Sequence, residues 1–452
     1  MRKIIDLYKK SFFLFLLIFT VIFNSNSQNG FRFKDKTESR QKVSFRLIHN
    51  LIVIPLEING STLSFILDTG VHKTVIFNLS ENDSINFLNS EKINLRGLGG
   101  GAPVAAIIAR NNKMTVKGLV GANETIYVIL KDFFDLSSKI GTTIHGIIGY
   151  DLLKNFIVKI NYKSKKLIFY KPDTYTYKKC RKCEVLPIQF YRNKPFVDIK
   201  VQLDTIGTKF TNVKMLVDSG GSDAIWLFEN SKLEIKTPKR YFNDILGEGL
   251  SGTIFGNRSR IPKLKIGNFE IEKPTASFLD SLSTLNARKL KNRNGSIGGN
   301  ILKRFIVWVD YPNKKITLKK NGSFKSGFNY NMSGLDIVYN GKQLIKVATT
   351  KLASDAYSNS LDAKNTVSLV SSFVYKFKST YIIKGVVKNS VADKAGLKAG
   401  DLILAINREP AHSYTLNDII LKLQEKENKK IRIKVAREGV TMTLQFRLEK
   451  RI

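Results

Sequence analysis

Two short acidic motifs in this chain of 452 residues have the composition needed for hydrolytic chemistry. They are Asp68-Thr69-Gly70 and Asp218-Ser219-Gly220, and each follows an apolar, strand-like run. The aspartate supplies a carboxylate, the hydroxyl residue can bond across to the other motif, and the glycine permits a sharp turn. Two carboxylates in one confined site share a proton, so one can activate water while the other hydrogen-bonds a substrate carbonyl. This chemistry would hydrolyse an amide with no covalent intermediate.

The two motifs occupy equivalent places in an internal duplication. The aspartates are 150 positions apart (218 − 68 = 150), and GIIGYDLLKNFIVKINY at Gly146 recurs as GSIGGNILKRFIVWVDY at Gly295, an offset of 149 (295 − 146 = 149). Glycine-rich stretches at 97–103 and 247–253 lie between these markers. Two copies indicate a pseudo-twofold pair of lobes, since a solenoid needs several repeats. One such triplet is an ordinary turn, but two at the repeat offset favour catalysis.

Each copy is predicted to be rich in β-strands. Apolar runs at 51–58 and 61–67 flank Asn-Gly, which is typical of a β-hairpin, and copy two repeats the pattern at 196–203 and 211–217. Short helical stubs at 151–154 and 300–303 precede pairs of strands joined by lysine-rich turns. We therefore predict a mainly β fold with two lobes from the duplication. Lobe one is predicted at 44–171, a connector at 172–185, and lobe two at 186–320.

Both lobes resemble retropepsin-like aspartic proteases. The carrying residues are LDTGVHKTVI from Leu67 and GIIGYDLL from Gly146, and the resemblance covers about 44–320. It implies that Asp68 and Asp218 are the catalytic pair and that the two lobes act as the two subunits of a retroviral dimer. It further implies an interlobe hydroxyl grip, backbone contacts from glycines, and flap hairpins at the glycine-rich stretches. The grip residues would be Thr69 and Ser219, and the glycines would be Gly70 and Gly220.

The chain departs from that family in ways that bear on its pH dependence. Val71 and Gly221 stand where pepsin-like enzymes have a hydroxyl residue that bonds the catalytic carboxylate. Fewer hydrogen bonds to the charged form keep a carboxyl protonated to higher pH, so we expect an optimum nearer neutrality than that of pepsin. Neither flap stretch carries the tyrosine of the pepsin-like flap. In copy two Ser296 replaces Ile147 and Asn300 replaces Asp151, which makes the second half the less regular one.

The C-terminal region, 330–452, resembles a bacterial PDZ domain, an α+β module. The carrying residues are Asn389-Ser-Val-Ala392, Ala395-Gly-Leu-Lys-Ala-Gly-Asp-Leu-Ile403 and Asn407. Such a domain binds an extended peptide by adding a strand to a sheet edge beside a helix. The candidate helix is 414–423, and a groove used only for intramolecular packing is the alternative. The candidate peptide-binding residues are Ser333, Gly334, Leu335 and Ile337.

The N-terminus predicts export. A basic start, an apolar run at 11–23 and a polar exit are typical of a signal peptide, with cleavage after Ser27. An uncleaved signal anchor is the alternative, and both place the rest of the chain outside the cytoplasm, periplasmic or secreted. The run is short for a span of ~20 residues, and no later segment approaches that length. Cys180 and Cys183 are the two cysteines; a structural clip or free thiols fit better than a redox site.

The net charge of +37 admits anionic partners, but it is spread along the chain. Lysine, asparagine, isoleucine and phenylalanine are frequent in every segment, which indicates a compositional bias and not a nucleic-acid face. A surface that binds an anionic polymer stays an alternative. No metal or organic cofactor is implied, since water is the reagent. The sequence thus predicts an exported aspartic endopeptidase whose PDZ domain recruits polypeptides; a catalytically silent peptide-binding scaffold is the rival.

Overall fold

The structure is a computed structural model in which the chain is mainly β-strand, as predicted. It describes residues 30–452 except 80–84, 96–102, 131–134, 205, 250–251, 291 and 355–366. The predicted signal peptide, 1–27, lies outside the described residues. Within the described part of the chain, no helix is long and apolar enough to cross a membrane.

Lobe one is built on a mixed nine-stranded sheet. Parallel pairing of the strand before Asp68 with the strand at Gly146–Ile148 lies at its centre. The chain order is β1 (Arg32–Phe33), β2 (Arg40–Ser44), β3 (Arg46–Ile48), β4 (Leu51–Ile58), β5 (Ser61–Leu67), β6 (Thr74–Ile76), β7 (Ser90–Leu95), β8 (Val104–Val116), β9 (Leu119–Ile129), α1 (Leu136–Ile140), β10 (Gly146–Ile148), α2 (Tyr150–Leu153), β11 (Ile157–Asn161) and β12 (Lys166–Tyr170).

Lobe two repeats this arrangement around a ten-stranded sheet. Its elements are β13 (Cys183–Pro187), β14 (Gln189–Tyr191), β15 (Lys194–Gln202), β16 (Thr211–Val217), β17 (Ile225–Phe228), β18 (Phe242–Gly249), β19 (Gly252–Arg260), β20 (Lys263–Ile266), β21 (Phe269–Glu272), β22 (Thr275–Leu279), β23 (Arg293–Ile297), α3 (Gly299–Leu302), β24 (Phe305–Asp310) and β25 (Lys315–Lys320). The neighbours β5-β10-β6-β9 in lobe one correspond to β16-β23-β17-β22 in lobe two, with the same parallel pairings.

The lobes share a six-stranded antiparallel sheet, with β2, β11 and β12 from one side and β13, β24 and β25 from the other. Its centre is the pairing of β11 with β24, where Ile160 faces Val307. The strand order was not predictable from periodicity, because nothing local marks which distant strands pair. Two strands precede the predicted start of lobe one at 44, and β2 pairs with β12 in this sheet. The Cys180–Cys183 disulfide lies at the start of β13, as a local clip.

The C-terminal region has its own core and a separate sheet. Its elements are β26 (Leu335–Ser354), β27 (Val367–Val386), α4 (Val391–Lys394), β28 (Leu402–Ile406), β29 (Glu409–Pro410), α5 (Leu416–Lys422), β30 (Lys430–Arg437) and β31 (Val440–Arg447), and short 3-10 turns lie at Pro172–Thr174, Ala287–Lys289 and Ala411–Ser413. The predicted helix at 414–423 is thus shorter, since Thr415 caps it. Residues 335–354 and 367–386 form a long antiparallel pair of strands, β26 and β27.

Candidate active site

Two equivalent strand ends deliver the paired aspartates. Asp68 follows β5 and Asp218 follows β16, and each of these strands runs parallel to its partner, β10 or β23. The Asp68 amide donates to the carbonyl of Ile148 at 2.8 Å, and the Asp218 amide donates to that of Ile297 at 3.0 Å. These bonds fix both aspartate backbones to the sheet at the same place in each lobe. The duplication therefore produces a local twofold arrangement.

Reciprocal hydroxyl bonds lock the two loops together. The Thr69 amide donates to the Ser219 hydroxyl and the Ser219 amide donates to the Thr69 hydroxyl, both at 3.0 Å. The Thr69 hydroxyl donates to the carbonyl of Val217, and the Ser219 hydroxyl donates to that of Leu67, both at 2.7 Å. Both hydroxyl residues are 1% exposed. The predicted interlobe grip is therefore present as a closed set of four bonds between residues far apart in the chain.

The two glycines let the carboxylates approach. A Cβ on Gly220 would lie 2.3 Å from Cγ of Asp68, and one on Gly70 would lie 3.4 Å from Oδ1 of Asp218. Each glycine amide also donates to the aspartate of its own loop, at 2.6 Å for Gly70 and 3.1 Å for Gly220. Only a residue without a side chain fits position 220, because the opposite carboxylate fills that space.

The two carboxyls are half-buried where the loops meet, and they interact with each other. Burial and the neighbouring charge of Asp218 raise the pKa of Asp68 well above its ordinary value. Burial also raises the pKa of Asp218, while Arg293, Lys194 and the hydrogen bond from Asp68 favour its charged form. Since two like charges in one confined site are costly, the pair favours a single shared proton.

Two cations beside the pair, the half-buried Lys194 and the buried Arg293, were not predicted from the sequence. Burial lowers the pKa of Lys194, which interacts with both aspartates, and burial lowers the pKa of Arg293 to about 10. Arg293 stacks over the rings of Phe196 and Phe228, at 5.6 and 5.0 Å. The sequence offered one indication for Arg293: it lies two residues before Gly295, where the equivalent residue of copy one, Ile144, is apolar, so a charged side chain replaces an apolar one there. Lys194 carried no such signal.

Tyr311 supports the first loop from below. Its hydroxyl donates to the carbonyl of Thr69 at 3.4 Å, and its ring stacks on Tyr150 and meets Phe190 edge to face. The residue lies in the turn after β24 of lobe two, so it supports the Asp68 loop of the other lobe. This contact was not predicted either, because the sequence around Tyr311 indicates only a lysine-rich turn between two strands.

The predicted flaps and peptide groove are placed only in part. The first predicted flap, 97–103, lies outside the described residues except Pro103. The second, 247–253, falls in the hairpin of β18 and β19, whose residues 250–251 lie outside the described residues as well. In the PDZ region Ser333, Leu335 and Ile337 are buried, and the amide of Met332 donates to Leu423 at the end of α5. The loop is therefore next to the helix, as predicted. The Gly334 carbonyl accepts from Val387.

Comparison with known proteins agrees with these two units. Residues 54–152 match the family model described as aspartyl protease, and residues 382–437 match the model described as PDZ domain. The carboxy-terminal processing protease CtpB of Bacillus subtilis (strain 168) is 38% identical over 69 residues, which cover 15% of this chain and 14% of that protein. The chain thus spans only a small share of this curated relative.

Among solved structures, the aspartic proteinase from Irpex lacteus is similar to 64% of this chain and 99% of its own, with 14% identity and a TM-score of 0.44. The family matches confirm the two resemblances stated from the sequence within residues 54–152, which match the aspartyl protease model, and residues 382–437, which match the PDZ model.

Proposed function

We propose that this chain is an exported aspartic endopeptidase in which Asp68 and Asp218 hydrolyse peptide bonds and the PDZ domain recruits polypeptide substrate. One observation carries the proposal: two carboxyls from opposite lobes lie against each other's glycine, in loops that lock together through reciprocal hydroxyl bonds. The family match of residues 54–152 supports it, since that segment contains the first aspartate.

In the proposed reaction each carboxyl has its own role. Asp218, whose charged form Arg293 and Lys194 favour, takes a proton from water as it attacks the peptide carbonyl. Asp68 carries the shared proton and gives it to the carbonyl oxygen, which yields a neutral gem-diol. When the C–N bond breaks, Asp218 returns its proton to the leaving nitrogen and a diol hydroxyl returns one to Asp68. The pair ends as it began, with one proton.

Recruitment and export rest on separate features. A PDZ groove that holds part of a polypeptide raises the concentration of its scissile segment near the aspartates. Export is supported by the apolar run at 11–23 and by the disulfide of Cys180 with Cys183, since disulfides persist in oxidising compartments. N-terminal sequencing of the protein from the periplasm or medium tests this; a mature chain beginning at Gln28 is the expected result.

The activity is tested with a mixed peptide pool, with and without a pepstatin-type inhibitor. We expect cleavage that the inhibitor blocks and that Asp68→Asn or Asp218→Asn reduces at least about 10²-fold, the lower range for general acid–base catalysis. The exposed Asp198, whose side chain is 58% exposed on β15, gives the matched control Asp198→Asn. If either dyad variant cleaves at the wild-type rate, the assignment is wrong. Peptide binding without any cleavage would favour the silent scaffold.

A further inference from the structure

A buried arginine joins the second flap hairpin to the loop that carries Asp218. The guanidinium of Arg258 on β19 pairs with both carboxylate oxygens of Asp223, at 3.0 and 3.1 Å, and its Nε donates to Asp244 of β18 at 2.6 Å. The Arg258 side chain is 11% exposed and that of Asp223 is 18% exposed. Bidentate pairs of this kind are strong and directional, and breaking a buried one leaves a charge without compensation.

Asp223 belongs to the loop that begins at the second catalytic motif. It lies five positions after Asp218 (223 − 218 = 5), and its backbone carbonyl accepts from the amide of Asn300 on α3 at 3.3 Å. The indole of Trp226 donates to the same carboxylate at 2.8 Å. The guanidinium of Arg258 on β19 therefore connects that strand both to the Asp218 loop and to strand β18.

At the equivalent positions of lobe one, the loop after the aspartate is held by a different ion pair. The residue equivalent to Asp223 is Lys73 (223 − 150 = 73), and it pairs with Asp151 of α2 at 3.1 Å. The residue equivalent to Arg258 is Ile108 (258 − 108 = 150), because the former faces Ser277 and the latter faces Tyr127 in corresponding ladders (277 − 127 = 150). In lobe one the loop is tied to the helix beneath it.

The charge reversal explains a departure noted in the sequence. Lobe one has a lysine in the loop and Asp151 on the helix, whereas lobe two has Asp223 in the loop and Asn300 on the helix. An aspartate at 300 would put a like charge beside Asp223 and compete with Asp223 for Arg258. The asparagine keeps the backbone contact and leaves the Asp223 carboxylate to the hairpin. The duplicated halves have thus diverged in what holds each catalytic loop.

We propose that Arg258 is a positioning residue for the proposed hydrolysis, through which the β18–β19 hairpin sets the loop of Asp218 when a polypeptide lies beneath it. The inference rests on the proposed function and deepens it. It makes the hairpin of lobe two the one whose placement is coupled to the chemistry. Arg258 acts through Asp223 and does not itself touch the substrate.

The kinetic test compares Arg258→Met with a charge-balanced double variant. Arg258→Met leaves Asp223 and Asp244 without their cation, so we expect a lower Tm and a fall in kcat/KM of at least about tenfold, expressed in kcat because the Asp218 loop moves. Adding Asp223→Asn removes the more buried of the two orphaned charges and raises the Tm again, but kcat stays low. Arg110→Met is the matched control, since Arg110 on β8 makes an exposed pair with Glu91. Recovery of kcat in the double variant, or a rise in KM alone, would overturn the proposal.

A second measurement does not depend on activity. Hydrogen exchange is followed in the inactive Asp218→Asn chain with and without Arg258→Met. We expect faster exchange in 242–249 and 252–260 and, together with it, in 219–223. Faster exchange in the hairpin alone would show that the loop is not coupled and would overturn the proposal. A wild-type chain that cleaves no peptide would defeat the proposed function, while the exchange result would still decide the link.

Discussion

At the scale of single residues, the site consists of two acidic side chains and two basic side chains that are largely shielded from solvent. Burial raises the pKa of Asp68 and of Asp218, and the charge of Asp218 raises the pKa of Asp68 further, while Lys194 opposes the rise in both and Arg293 opposes it in Asp218. Val71 and Gly221 cannot supply the hydroxyl hydrogen bond that favours the charged carboxylate in pepsin-like enzymes. The cations Lys194 and Arg293 favour the charged form in its place. The pH range of activity depends on the balance between burial and these two cations.

Lys194→Met should shift the pH–rate profile to higher pH. Lys194 favours the charged forms of both carboxyls, so its removal raises both pKa values, and the protonation state with one shared proton is reached at higher pH. Both limbs of the kcat/KM profile against pH should move in the same direction. Lys200→Met on the same strand, where the side chain is exposed, should leave the profile unchanged. An unchanged profile in Lys194→Met would exclude this role.

Asp68→Asn should make the folded chain more stable in alkaline solution. A carboxyl whose pKa is raised on folding contributes stability below its unfolded pKa, and that contribution is lost as pH rises through the folded value. Asparagine does not titrate, so the variant avoids the second buried charge. Urea unfolding at pH 9 should give a gain of about 1 kcal/mol or more, the value of one pKa unit. Equal stability of both proteins at pH 9 would contradict the raised pKa.

At the scale of elements, the duplication determines how the loops meet. The hairpin predicted at 51–58 and 61–67 has these bounds in the structure, and the helical stubs differ from the predicted ones by one residue. Local pattern was sufficient there, because Asn-Gly and strand periodicity act over a few residues. The shared sheet of β11 and β24, the upstream strand β2 and the Arg258 link depend on contacts between distant segments, which periodicity does not encode.

Thr69→Val should destabilise the pair of lobes strongly. Valine keeps the volume but leaves the Ser219 amide and the Val217 carbonyl without their partner in a buried place. Each orphaned group costs about 1–3 kcal/mol, so the free energy of unfolding should fall by roughly 2–5 kcal/mol. Thr62→Val, at an exposed position of β5, is the control and should change it by less than about 0.5 kcal/mol. A small loss in Thr69→Val would mean that the grip is not structural.

At the scale of the whole molecule, the PDZ domain packs against both lobes. On lobe two, Phe242 at the start of β18 lies in the PDZ core and contacts the Tyr330 ring at 5.6 Å. On lobe one, a Cβ on Gly141 would lie 2.6 Å from Cβ of Leu416 in α5, and Asp135 pairs with Lys384 at 3.2 Å. The PDZ domain thus contacts the start of the β18–β19 hairpin in lobe two and the helix α1, which precedes β10, in lobe one.

Gly141→Asn should separate the PDZ domain from lobe one. Gly141 has φ +77°, which asparagine tolerates, so the main effect is the clash of the new Cβ with Leu416. Amide exchange in the first turn of α5 should become faster. Gly60→Asn is the matched control, because Gly60 has φ +96° and open space around it. Equal protection of α5 in both variants would show that this contact does not hold the domain in place.

The central claim is that two aspartates from opposite halves of the chain act as one catalytic unit. A double-mutant cycle on kcat/KM for a cleaved peptide, with Asp68→Asn, Asp218→Asn and both together, tests it most directly. Each single variant should lose nearly all activity, and the double variant should be no slower than either, because residues that act as a unit are not additive. Independent, additive losses, or a single variant that retains wild-type activity, would contradict the account.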